Sequence, residues 1–97
     1  MEIDLVRDGS KLTMNLGGRI DTTTSSELEA KLPELEGVTD LVLNMKDVNY
    51  ISSSGLRVLI SMQNVMDEQG TLKLTNVVEI VMDIFEATGL VDLFEIE

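Results

Sequence analysis

The chain has 97 residues, 43% of them hydrophobic, with a single proline; that suffices for one domain, residues 1–97, with one core and no deep enclosed pocket. Seven basic against eighteen acidic residues give a formal net charge of −11, which repels nucleic acid and anionic membrane surfaces alike. No run of ~18 apolar residues offers a transmembrane helix, the first ten residues lack the basic start of a signal peptide, and the absence of cysteine removes disulfides and thiolate chemistry, so the cytoplasm is the simplest assignment.

Taken in chain order, "EIDLV" and "KLTMNL" alternate apolar and polar residues around Asp8-Gly9, a dipeptide suited to a tight hairpin turn, and predict two antiparallel strands. After Gly17-Gly18-Arg19-Ile20-Asp21 a helix is predicted from near Thr24, with Thr24 and Glu27 in capping-box relation and Pro33 limiting its length. Leu41-Val42-Leu43 is a short apolar run of the kind found in a central strand covered on both faces. From there the chain passes through Asn44 to Tyr50 and reaches three serines, Ser52-Ser53-Ser54, followed by Gly55. A long helix is predicted from Gly55 to Gln69 with Gly70 as its C-terminal cap. "TLKLTN" predicts a further strand, Val77 to Ala87 a third helix ending at Thr88-Gly89, and Leu93, Phe94 and Ile96 a last short strand or tail. The order β-β-α-β-α-β-α-β, without linker or repeat, argues for a mixed sheet with helices packed on it and right-handed crossovers.

Catalytic equipment is sparse. There is no histidine for acid–base work near neutral pH, no lysine stands near the serines, and the Gly-x-Ser-x-Gly elbow of a serine hydrolase is missing. Neither the phosphate-cradling Gly-Lys-Ser/Thr loop nor calcium-loop spacing occurs, so no cofactor or metal is expected. A phospho-aspartate receiver would have Asp47 as acceptor, yet no lysine follows Lys73. What stands out is the serine run at a predicted helix start, where one hydroxyl would suffice as a cap and where free N–H groups and a partial positive charge would suit a phosphate.

The run "DVNYISSSGLRVLI", together with "LGGRIDTTTSSEL" and "IFEATGLVDLFEI", resembles the anti-sigma factor antagonist branch of the STAS domain family, in the right order and over nearly the whole chain. The resemblance implies an α/β fold: a four- or five-stranded mixed sheet with three to four helices packed mainly on one face. It implies a regulatory binding protein rather than an enzyme. Ser53 falls on the position of the phosphorylated serine, Ser52 on one where many relatives carry aspartate, and Ser54 on one of serine or alanine. Asp21, with Thr24 behind it, matches the partner-binding segment; Ser52, Ser54, Gly55 and Arg57 complete the expected partner-binding set. The implied partners are an anti-sigma factor that is also a serine kinase, bound by the unphosphorylated form so that a sigma factor is released, and a PP2C-type phosphatase that resets Ser53. The alternative is a constitutive STAS scaffold that is never phosphorylated.

Overall fold

The computed structural model describes residues 1–97 throughout. Strand β1 (Glu2–Asp8) turns into β2 (Lys11–Ile20) through Gly9 and Ser10, with Gly9 at φ +62°. Helix α1 (Ser25–Glu29) and a 3-10 turn (Leu32–Leu35) lead to β3 (Asp40–Ile51); α2 (Ser53–Asp67), β4 (Thr71–Thr75), α3 (Glu79–Ala87) and the two-residue β5 (Glu95–Ile96) follow. The strands lie in the order β1-β2-β3-β4-β5. The first pair is antiparallel and the other three are parallel. This is the five-stranded form of the mixed sheet that the sequence implied.

The register explains where the core lies. Leu12, Leu41 and Leu72 stand side by side across β2, β3 and β4, and Met14, Leu43 and Leu74 form the next row. All six are buried, and because side chains alternate along a strand they share one face. Leu59, Met62, Met66, Val81 and Phe85 from α2 and α3 belong to the same core; each large side chain so removed from water contributes roughly 1.5–3 kcal/mol. Phe85 also packs on Phe94, their ring centroids 5.6 Å apart. The opposite face is polar: Asn44 donates to the Asn15 carboxamide oxygen at 2.9 Å, and Asn76 donates to that of Asn44 at 3.0 Å. Val42 is therefore only half-buried. The expectation that Leu41-Val42-Leu43 is covered on both faces is corrected: β3 alternates, with helices on one side of it.

Three further expectations change. Strand β3 runs on to Ile51, because two bulges fit the stretch after Asn44 to its neighbour: Met45 and Lys46 stand opposite Leu16 alone, and Asn49 is an extra residue between Val48 and Tyr50. The predicted capping box does not form; Thr24 makes no side-chain cap bond to α1, its hydroxyl being committed to the preceding turn. Helix α2 begins at Ser53 and ends at Asp67, and Gly70 is no left-handed cap. Its missing side chain instead admits the Thr39 carbonyl, which a Cβ there would overlap.

Candidate functional site

The site lies where β2 and β3 end together. Ile20 pairs with Ile51, and immediately beyond them the Ser52 amide donates to the Ile20 carbonyl at 2.8 Å. That bond ties the turn entering α2 to the turn leaving β2.

On the β2 side, Asp21 organises its own turn. Its Oδ1 accepts from the amides of Thr23 (2.9 Å) and Thr24 (3.0 Å), while the Asp21 amide donates to Thr24 Oγ1 at 2.9 Å. The Thr24 hydroxyl in turn donates to the Arg19 carbonyl at 2.6 Å. The amide bonds to Oδ1 favour the carboxylate. The Thr24 amide above all holds Asp21 below its ordinary pKa; desolvation pushes the other way with the next largest effect, and the Thr23 amide, the Thr24 hydroxyl and the Arg19 guanidinium together keep the balance downward. Arg19 Nε stands 3.7 Å from Asp21 Oδ2, and its guanidinium lies over the Tyr50 ring, 4.3 Å from the centroid.

On the α2 side the three serines separate by position. Ser52 is the N-cap, extended at φ −89° and ψ 174°, and its hydroxyl accepts from the Gly55 amide at 3.3 Å. Ser53 is the first residue of the helix and exposed. Its hydroxyl makes no hydrogen bond within the chain, and the amides of Ser53 and Ser54 find no backbone acceptor, as expected of a first helical turn. Ser54 is half-buried and turns toward α1, where it lines a polar cleft of about 220 Å³ with Ser25, Glu29, Arg57, Val58 and Ser61.

Gly55 is buried. A Cβ there would stand 2.7 Å from Ile20 Cγ2, 2.8 Å from Ile51 Cγ1 and 2.9 Å from the Ile20 carbonyl oxygen. The space left by its missing side chain is filled by the protein itself, so Gly55 seats α2 on the end of β2 instead of opening room for a visitor.

Asp21, Thr24, Ser52, Ser53 and Ser54 thus gather at one end of the sheet, with Arg57 one helical turn beyond and Gly55 beneath. Sequence reasoning missed the Arg19–Tyr50 stack, which depends on the β3 bulges, and missed Ser25, Glu29 and Ser61. The latter had a legible signal: Ser25 and Glu29 are four apart on α1, and Ser54, Arg57 and Ser61 recur at three and four on α2, which places each set on one helix face. Asp47 stands exposed beside a bulge; no three acidic residues come together in a metal-holding group. No helix is long and apolar enough to cross a membrane.

This frame, a five-stranded mixed sheet with its crossover helices on one face, is that of a STAS domain. The STAS domain family model matches residues 2–97, and the chain belongs to that family. It is 34% identical over 98 residues to the anti-sigma-B factor antagonist of Bacillus subtilis (strain 168), the match covering 99% of this chain and 90% of that protein. The anti-sigma-B factor antagonist of Staphylococcus aureus (strain NCTC 8325 / PS 47) is 29% identical over 86 residues, covering 86% and 80%. Among solved folds, an anti-sigma factor antagonist from Mycobacterium paratuberculosis superposes with a TM-score of 0.84 at 18% identity, covering 98% of this chain and 83% of that one. The phosphorylated form of the Bacillus cell fate determinant SpoIIAA gives 0.75 at 18% identity, covering 99% and 91%.

Proposed function

We propose that this chain is an anti-sigma factor antagonist working by partner switching, with Ser53 as its phosphoacceptor. One observation carries the assignment to Ser53: of the three adjacent serines it alone is exposed, and its hydroxyl is uncommitted. Ser52 serves as the helix cap and Ser54 faces the α1–α2 cleft. The 34% identity to an anti-sigma-B factor antagonist across both chains supports the class, and the solved phosphorylated form of SpoIIAA, a protein of the same fold, is in keeping with it.

In this reading the unphosphorylated protein presents Asp21, Thr24, Ser52, Ser54 and Arg57 to an anti-sigma factor that is also a serine kinase, and binding frees the sigma factor. The kinase then moves the γ-phosphoryl group of ATP to Ser53. A P–O bond forms to the Ser53 oxygen, its proton passes to a base on the kinase, and ADP leaves. This chain supplies only the hydroxyl, having no histidine to act as base. The product carries about −1.5 to −2 charge at an exposed turn, and a penalty of about 3 kcal/mol at the interface weakens association more than a hundredfold. A PP2C-type phosphatase restores the hydroxyl by hydrolysis.

Incubation with the cognate kinase and ATP is expected to add one phosphate, located at Ser53 by fragmentation mass spectrometry, and Ser53→Ala is expected to accept none. Phosphate found mainly on Ser52 or Ser54 overturns the site. A chain that binds the kinase and is never modified favours the constitutive scaffold.

A further inference from the structure

We infer that Arg57 is the intramolecular partner of the phosphate on Ser53, so that modification withdraws a surface cation as well as adding a charge. The inference rests on Ser53 being the acceptor. Arg57 is exposed on α2 four residues after Ser53, the spacing at which helical side chains are neighbours, with Cβ atoms about 5–6 Å apart. Long side chains on a helix lean toward its N-terminus, which brings the turn that carries Ser53 within reach of the Arg57 side chain.

The guanidinium is also free to respond. In a chain with eighteen acidic residues, no carboxylate lies within 4 Å of it, and its nitrogens donate no hydrogen bond within the protein. Glu29 of α1 lines the same cleft without pairing to it. Arg19, the other arginine at this end of the sheet, is already placed between the Tyr50 ring and Asp21. The charged groups around the first turn of α2 are therefore Asp21 and Arg19 from the end of β2, Glu29 from α1 and Arg57 from α2 itself. Of these, Arg57 is the one cation with neither a carboxylate within 4 Å nor an aromatic ring beneath it. A phosphate dianion offers a planar guanidinium two acceptor oxygens at once, the geometry in which arginine binds most strongly.

Before modification, Arg57 stands at the rim of the α1–α2 cleft and faces outward to a partner. Afterwards it folds back onto the phosphate. An acidic group on the partner then meets the phosphate and at the same time loses its arginine.

The test installs phosphoserine at position 53 during translation, so that no kinase is needed, and follows the phosphate titration by phosphorus NMR. Arg57→Gln is expected to raise the second phosphate pKa by about 0.3 pH unit or more, a twofold or greater gain in proton affinity. Arg57→Lys should keep much of the wild-type value, since the charge remains while the two-pronged contact is lost. Coincident midpoints for wild type and Arg57→Gln overturn the pairing. The outcome is separable from the fate of the proposed function: a kinase that ignores Ser53 defeats the switch yet leaves this titration as it is.

Discussion

A methyl group added at Gly55 has nowhere to go, although a helix interior ordinarily gains from such a change. Alanine is intrinsically preferred over glycine there by about 1 kcal/mol, yet the new Cβ would stand 2.7–2.9 Å from Ile20 and Ile51 atoms, one of them the Ile20 carbonyl oxygen. Overpacking of a buried contact costs typically about 1–3 kcal/mol, and a backbone oxygen cannot rotate away as a side chain can. Gly55→Ala is therefore expected to lose up to about 2 kcal/mol net, seen as a lower urea midpoint at unchanged slope. A gain in stability would show that α2 is free to lift from β2. The neighbouring serines make the same point about residues: identical side chains at 52, 53 and 54 become a cap, an exposed hydroxyl and a cleft wall through helical position alone.

At the scale of elements, the turn between β2 and α1 is a small closed hydrogen-bonded unit built on one carboxylate. Because Asp21 has its pKa lowered from the ordinary value of 3.8 in the fold, it contributes stability above that value, and the contribution is lost as pH falls through the folded-state pKa. Asp21→Asn, which keeps the accepting oxygen but cannot titrate, is expected to flatten the acid limb of the stability curve from about pH 4 downward. Thermal melts across that range check it, and parallel limbs for the two proteins would defeat it. Element type and order were legible because hydrophobic periodicity carries them: alternation in β1, β2 and β4, and helical spacing in α2 and α3. What escaped was set by contacts distant in sequence. The apolar residues Met45, Val48 and Ile51 recur at intervals of three, which hides a strand until the bulges opposite β2 are known. Thr24 has the right spacing to cap α1, but the Arg19 carbonyl takes its hydroxyl. Gly70 follows a helix, as a cap would, and owes its place to Thr39.

Over the whole molecule, the three helices cover one face of the sheet and leave the other to an asparagine ladder, so the turn proposed to carry the phosphate sits at an end of the structure, with Ser53 exposed above the packed Gly55. Its modification should accordingly change what the protein binds far more than how firmly it folds. Ser53→Asp is expected to weaken binding to the anti-sigma kinase, measured by calorimetry, by at least about tenfold, since its single charge falls short of phosphate. Its unfolding free energy should change by less than about 1 kcal/mol, because an acid at a helix start interacts favourably with the free amides. An unaltered dissociation constant would remove charge as the basis of the switch. The separation also accounts for the site's legibility. The serine run stood out because nothing in the fold calls for three hydroxyls, whereas Ser25, Glu29 and Ser61 are dispersed over two helices and converge only when those helices pack.

The strand order β1-β2-β3-β4-β5 has a consequence for how the molecule is made. Each new strand pairs with the one synthesised just before it, so the sheet can grow from one edge as the chain leaves the ribosome, with no early strand waiting for a late one to fill a gap. The bond from Ser52 to Ile20 needs only β2 and β3. The junction that presents Ser53 can therefore take shape while α3 and β5 are still being translated, and the last segments to emerge, closing over Phe85 and Phe94, complete the core without reshaping that end.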